Sequence, residues 1–255
     1  MDQTHLALPA HHYDPALEIE GLAQRYRRAN GPMMRLVGRM GNAVEKQLAV
    51  LPEGARKQVE TLVAGALEQA HRVASAGRHA PNLGPKAAPA LAALSGAIGG
   101  AGGWVTALPE IPVSVTLILH AIRRAAEAQG FDPDDPAIRA ECLRVFSAGS
   151  PLAADDGVNS AYLGARLALS GGTVQNIIAA VTPRLAAAFG QKLAAQAVPV
   201  IGAVTGAALN TAFLNYYREL AHIRFALLRL AEQHGAERVL QDFQRATGTL
   251  SISKA

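Results

Sequence analysis

Residues 198–210 read VPVIGAVTGAALN, and the surroundings of this stretch distinguish a membrane span from a buried helix. It lies within a run from Leu193 to Tyr217 that has no charged side chain. Gly202, Gly206 and Asn210 recur every four residues, so in an α-helix they lie on one face. Glycines on such a face let a neighbouring helix approach closely. That neighbour could lie in a bilayer or in the core of a helical bundle.

The run from 193 to 217 is a weak candidate for a membrane span. Its 25 residues exceed the ~20 that a spanning helix needs, but only eight of them are Leu, Ile, Val or Phe. Large apolar side chains supply most of the insertion energy, and polar residues such as Gln196 and Asn215 oppose insertion. We therefore expect this run to be buried in a bundle, with Gly202 and Gly206 against the glycine-rich residues 96–103.

Residues 87–122 form a second segment of the same kind, in which Glu110 is the only formal charge. The segment divides at residues 109–112 (PEIP), and its first half is so rich in glycine that its helix requires close partners. We expect the two segments to pair as a central hairpin. Its candidates for close packing or for contact with a lipid are Gly96, Gly100, Gly103, Trp104, Gly202, Gly206, Asn210 and Phe213.

The rest of the chain shows the three- and four-residue periodicity of helices, and no segment alternates like a strand. We predict an all-α fold, a multi-helix bundle around a buried Gly/Ala-rich central hairpin. Residues 77–89, with three prolines and two glycines, are predicted to be a loop. We divide the chain into an irregular arm at 1–16, basic N-terminal helices at 17–50, a helical domain at 51–240 and a C-terminal tail at 241–255.

The sequence GFDPDDP at 130–136 is typical of one helix ending and another beginning. Gly130 suits a helix C-terminus, and an aspartate followed by a proline suits the start of the next helix. Asp132, Asp134 and Asp135 could instead hold a cation, but the glycine and distal glutamate of a calcium loop are missing. We favour the capping interpretation.

No common catalytic motif is present: the sequence has no GxSxG, HExxH, phosphate-binding loop or CxxC. His5, His11 and His12 lack the helical spacing of a closed metal site. We therefore expect no catalytic centre, metal or cofactor. The enzymatic alternative is a hydrolase that uses Glu110, His120 and the aspartates at 132–135, and it requires these groups to meet in one pocket.

The net charge of +4 is too small to indicate a nucleic-acid partner. The arginines between residues 25 and 39 form the densest basic stretch, and they suit either an anionic membrane surface or a solvated helix face. We expect a cytoplasmic protein that can lie peripherally at the inner face of a membrane, because the sequence begins without a secretory leader. The candidate membrane-surface residues are Arg25, Arg27, Arg28, Arg35 and Arg39.

Residues 192–235 resemble the EcsC family, whose Pro-x-x-Gly-Ala-x-x-Gly-Ala helix leads to an asparagine and an aromatic residue. The matching positions are Pro199, Gly202, Ala203, Gly206, Ala207, Asn210 and Phe213. Residues 102–136 resemble the family's proline-bounded apolar helix followed by Gly-aromatic-Asp. Family members often carry an acid early in that helix, where this chain has Ser114-Val115, so a role that depends on that acid is not expected.

The resemblance extends over most of residues 50–235. It implies a helical domain that associates with a membrane or with a transporter-type membrane complex. Our leading hypothesis is therefore a non-catalytic helical protein at a membrane, which could bind a lipid or other apolar ligand. The alternatives are the hydrolase above and a protein–protein interaction scaffold with an exposed apolar patch. The sequence does not specify the oligomeric state.

Overall fold

The computed structural model describes residues 15–29, 53–75, 84–101, 108–148, 173–196 and 202–248. Every regular element in those ranges is a helix, which confirms the prediction of an all-α bundle. The α-helices are α1 (Pro15–Ala29), α2 (Glu53–Ser75), α3 (Gly84–Ala101), α4 (Ile111–Ala128), α5 (Pro136–Arg144), α6 (Val174–Gln196), α7 (Gly202–His234) and α8 (Ala236–Thr247). A short 3-10 segment, Val145–Ala148, follows α5.

Helix α7 is the centre of the bundle. Its 33 residues make it about 50 Å long at 1.5 Å per residue. It packs against α1, α3, α4 and α8, and its contact with α3 is the most extensive between any two described helices. Aromatic and aliphatic side chains along its length are fully buried, among them Phe213, Tyr217, Phe225 and Leu227. Helix α2 closes the other side of the core against α4 and α6.

Helices α3 and α7 touch through their backbones at Gly96 and Gly206. A Cβ atom built at Gly96 would lie 2.3 Å from the Gly206 carbonyl oxygen and 2.9 Å from Cβ of Asn210. No side chain fits at that distance, so position 96 requires glycine. Gly100 and Gly202 also lie in these two helices, whereas Gly103 and Trp104 are outside the described residues. The spacing of Gly206 and Asn210 therefore marks a helix–helix contact.

Residues 84–89 are helical, which corrects the prediction of a loop over 77–89. Pro85 lies in the first turn of α3, where a backbone N–H has no partner to lose. Pro89 lies further into the helix and removes one backbone hydrogen bond. The long contact of α3 with α7 compensates for that loss. Residues 77–83 lie outside the described ranges.

The GFDPDDP stretch forms the predicted helix end and helix start. Gly130 has a φ of 87°, a conformation that favours glycine. The Asp135 carboxylate accepts hydrogen bonds from the backbone N–H groups of Ala137 at 2.7 Å and Ile138 at 3.2 Å. Pro136 occupies the first turn of α5. The capping interpretation is therefore confirmed for Asp135.

Helix α8 extends the packed part of the chain beyond the predicted start of the tail. Its Phe243 contacts the ring of Tyr26 on α1, with the ring centroids 6.2 Å apart. Residues 241–247 are thus helical, and the fold reaches at least to Gly248. Residues 30–52, which include the second predicted basic helix, lie outside the described ranges. Among the described helices, none is long and apolar enough to cross a membrane.

Candidate functional site

Five polar side chains meet where α3, α4, α6 and α7 come together. We call them the polar cluster: Ser95, Glu110, Ser114, Lys192 and Asn210. Four of the five are buried, and the side chains of Lys192 and Glu110 are only 1% and 6% exposed. Each charge in such a place must have a partner, because an isolated ion costs several kcal/mol to remove from water.

The two charges of the polar cluster form a direct ion pair. Nζ of Lys192 lies 2.5 Å from Oε2 of Glu110 and 3.4 Å from the hydroxyl oxygen of Ser114. The same ammonium lies over the rings of Phe189 and Phe213, at 5.1 and 6.0 Å from their centroids. Ring faces attract a cation, so they supply the remaining surroundings of the ammonium group. Burial lowers the pKa of Lys192, and the Glu110 carboxylate opposes that change.

Neutral donors surround the second oxygen of Glu110. The Asn210 amide donates to Oε1 of Glu110 at 2.6 Å, and the Ser114 hydroxyl donates to the same oxygen. The other N–H of Asn210 donates to the Ser95 hydroxyl oxygen at 3.1 Å. The carboxylate thus has donors on both oxygens, and both amide hydrogens of Asn210 have acceptors. The cluster satisfies its polar groups internally and has no net charge.

Local sequence rules bring these residues together. Glu110 and Ser114 are four residues apart, so one turn of helix stacks their side chains. Asn210 follows Gly206 by the same interval, on the face of α7 that meets α3. The close approach at Gly96 puts the neighbouring Ser95 within reach of Asn210. Glu110 supplies a buried carboxylate one turn before Ser114.

A serine hydroxyl beside a lysine amine can act as a nucleophile and its base. In the polar cluster, however, Glu110 holds a Lys192 proton in the ion pair. Ser114 is also buried, so a substrate would reach it only if helices separated. The arrangement therefore acts to fix four helices against one another.

The residues of the predicted hydrolase site do not meet in one pocket. His120 follows Glu110 by ten residues on α4, which separates their backbones by about 15 Å along the helix. Burial lowers the pKa of His120, and the nearby Arg124 adds to that effect. Asp134 forms an ion pair with Arg123 at 2.8 Å. Glu110 and His120 are therefore too far apart to act together in acid–base catalysis on one substrate.

A second buried ionic group joins α5 to α7. We call it the arginine cluster: Glu141, Arg144 and Arg224. Nε of Arg224 lies 2.8 Å from Oε1 of Glu141, and Nη1 of Arg144 lies 3.2 Å from Oε2. Glu141 and Arg224 are buried, whereas the side chain of Arg144 is 22% exposed. None of these three residues was a sequence-based candidate.

The predicted membrane-surface arginines have different surroundings. Arg25 forms an ion pair with Glu219 at 2.8 Å, and Arg27 forms one with Glu20 at 2.7 Å. Arg28 is exposed and has no ion pair or hydrogen bond with any described residue. Arg35 and Arg39 lie outside the described ranges, as do His5, His11 and His12. Within those ranges, no three His, Cys, Asp or Glu residues are grouped to hold a metal ion.

Ser95, Ser114 and Lys192 were missed by the sequence analysis. A signal for the ion pair was nevertheless present. Glu110 is the only charge in residues 87–122, and Lys192 is the only charge in residues 185–217. Two lone charges of opposite sign in two apolar segments are natural partners, since neither can be buried alone.

Helix α3 has an apolar outer face. Leu91, Leu94 and Ile98 are 40%, 58% and 66% exposed, and their spacing puts them on one side of the helix. Gly96 lies on the opposite side and contacts α7, and the part-buried Ser95 lies between the two sides and bonds to Asn210. We call the three exposed residues the outer face of α3. It places large apolar side chains in water and small or polar ones in the core.

Comparison with known proteins gives one result. The family model described as "EcsC protein family" matches residues 32–230, which contain the polar cluster, the outer face of α3 and most of α7. No curated protein and no solved structure matches the chain. The match covers well over half of the sequence, so the chain belongs to the EcsC protein family.

Proposed function

We propose that this EcsC family member is a non-catalytic protein that attaches to the cytoplasmic side of a membrane through the outer face of α3. The observation that carries the proposal is the reversed polarity of this helix. A helix on the surface of a protein in water normally has its polar residues outside and its apolar residues inside. Helix α3 has the opposite arrangement at Leu91, Leu94 and Ile98.

After Lys86 in its first turn, the sequence of α3 leaves no polar group for its outer side. Between Ala87 and Ala101 the only polar side chain is Ser95, which bonds to Asn210 in the polar cluster. The exposed side is therefore continuous hydrocarbon over about three turns. Such a face suits the boundary between lipid headgroups and acyl chains, where an amphipathic surface helix lies parallel to the membrane.

The strength of this contact can be bounded. Full burial of a leucine or isoleucine is worth about 1.5–3 kcal/mol, so three half-exposed side chains would contribute roughly 3 kcal/mol. That is less than a single myristoyl chain supplies, and such a chain gives only marginal attachment. The proposed docking thus requires a second contribution, for which attraction between basic residues and anionic lipid is available.

Co-sedimentation with vesicles tests this proposal. The wild-type chain should bind phosphatidylglycerol-containing vesicles at low salt and much less to pure phosphatidylcholine. Leu94→Ser should weaken the binding severalfold, because it removes apolar area from the outer face of α3. Leu17→Ser is a matched control, since Leu17 is an exposed leucine on α1. Equal losses in both variants, or no binding of the wild type, would contradict docking through α3.

The same face would accept a single acyl chain, so we extend the proposal to a bound lipid. Native mass spectrometry of the purified protein should find lipid on the wild type and less on the Leu94→Ser variant. A scaffold that docks on a membrane protein would instead bind native membranes and ignore vesicles of pure lipid. That outcome would contradict docking on lipid and would support docking on a membrane protein.

A further inference from the structure

A groove of about 430 Å³ lies between α1 and α7, away from the polar cluster. Arg25 and Arg28 line it from α1, and Asn215, Tyr216 and Glu219 line it from α7. Two alanines, Ala29 and Ala212, complete its wall. Its volume is within the range of pockets that hold small organic ligands.

The groove has a surplus of positive charge. Glu219 is the only acid among the described residues that line it, and it pairs with Arg25 at 2.8 Å and with the adjacent Arg218, outside the lining, at 3.8 Å. Arg28 has no partner among the described residues. Among the described lining residues, one carboxylate therefore faces two guanidinium groups.

The groove also contains a polar side chain without a protein partner. Asn215 is partly buried, and its side-chain amide has no hydrogen bond with any described residue. An amide that lines a cavity can donate to one ligand oxygen and accept from a ligand hydroxyl. The groove thus combines a guanidinium group free to bind an anion with an amide free to bind a hydroxyl.

We propose that this groove binds a phosphate ester of a small polyol, with Arg28 and Arg25 on the phosphate and Asn215 on a hydroxyl. Guanidinium groups match phosphate because their planar forks donate two parallel hydrogen bonds. The two lining arginines exceed the one lining carboxylate by one positive charge, which favours an anionic phosphate ester over a neutral ligand. Its source is either a phospholipid headgroup or a soluble phosphate ester. The proposal does not depend on docking through α3.

Titration calorimetry with glycerol 3-phosphate, inorganic phosphate and glycerol tests the groove in the full chain. Glycerol 3-phosphate should bind, and Arg28→Gln should weaken its binding about tenfold or more, because a charge-assisted hydrogen bond is lost. Arg72→Gln, at an exposed arginine on α2, is the matched control and should change the affinity less than about twofold. Asn215→Leu should weaken glycerol 3-phosphate and leave inorganic phosphate unchanged.

Vesicles distinguish the two sources of the phosphate ester. A headgroup site predicts that Arg28→Gln lowers sedimentation with phosphatidylglycerol vesicles more than Arg72→Gln does. A site for a soluble ester predicts tight glycerol 3-phosphate binding and equal sedimentation of the two variants. Leu94→Ser should keep the affinity for glycerol 3-phosphate. A failure of docking through α3 can therefore be distinguished from a failure of the groove to bind phosphate. The proposal is overturned if the wild-type chain binds neither the soluble phosphate ester nor the phospholipid headgroup. Equal losses of glycerol 3-phosphate affinity in Arg28→Gln and Arg72→Gln would also overturn it.

Discussion

The polar cluster and the arginine cluster are both buried and ionic, but they differ in the number of counter-charges. Lys192 is the only cation that pairs with Glu110 among the described residues. Glu141 pairs with two arginines, one of which reaches solvent. In the polar cluster the rest of the environment is hydroxyl, amide and ring faces. Loss of one charge should therefore be far more damaging in the polar cluster.

The largest effect is expected for Lys192→Met. It leaves the Glu110 carboxylate buried without a cation, which should cost about 3–5 kcal/mol of unfolding free energy. Urea denaturation followed by circular dichroism measures this change. The double variant Lys192→Met with Glu110→Gln removes both charges and should recover a large part of the loss. If Lys192→Met alone lowers the unfolding free energy by less than about 1 kcal/mol, Lys192 and Glu110 behave as a solvent-exposed ion pair and not as a buried one.

Gly96→Ala should be the next most damaging change. The added Cβ would meet the Gly206 carbonyl, which is backbone and cannot rotate away. We expect a loss of about 3 kcal/mol, at the upper end for overpacking. Gly65→Ala is the control, because a Cβ at this helical position on α2 meets nothing within 4 Å. That control should be neutral or more stable by up to about 1 kcal/mol, and a similar loss in both variants would disprove the close contact.

Arg224→Met should cost less than Lys192→Met, roughly 2 kcal/mol, because Arg144 still faces Glu141. Arg144→Gln should cost still less, under about 1 kcal/mol, since its side chain is partly solvated. Urea denaturation of the three variants under one set of conditions gives this order. A loss in Arg224→Met as large as that in Lys192→Met would show that the number of counter-charges does not matter.

The smallest effect is a pH dependence that lies outside both clusters. Burial lowers the pKa values of His71, His120 and His222. When the pH falls below the usual histidine pKa of about 6.5, these histidines therefore bind protons in the unfolded chain but stay largely neutral in the folded chain. Stability should be fully present above that pH and fall as the pH is lowered. Denaturation midpoints at about pH 7.5 and 5.5 measure the drop, which His120→Gln should reduce and Arg224→Met should leave unchanged.

Contacts between residues close together in the chain can be predicted from the sequence more readily than contacts between distant residues. Asp135 caps a helix two residues away, and Asn210 follows Gly206 by one turn, so both could be identified from short spacing. The pairing of Glu110 with Lys192 joins residues far apart in the chain and depends on how α4 lies against α6 and α7. Ser95 lies among small residues that indicate only close packing. Its hydrogen bond to Asn210 exists because α3 approaches α7 at that level.

The differences between the sequence-based predictions and the structure also have a physical cause. Residues 84–89 contain prolines and a glycine, which favour a loop by local chemistry, yet they are helical in α3. The contact with α7 overrides that local preference. Similarly, Val239 and Phe243 alone give little indication of a helix that docks on α1. Their burial depends on the position of Tyr26, more than two hundred residues earlier.

Helix α7 follows α1, α3 and α4 in the chain, and this order has a consequence for synthesis of the protein. Helices α1, α3 and α4 all pack on α7, but the ribosome makes them long before residue 202. Until residues 192–210 have been made, Glu110 lacks Lys192 and Asn210 as partners, and it must stay hydrated. We therefore expect the core to assemble only after α7 has been synthesised, and the earlier apolar segments to be exposed to aggregation during that interval.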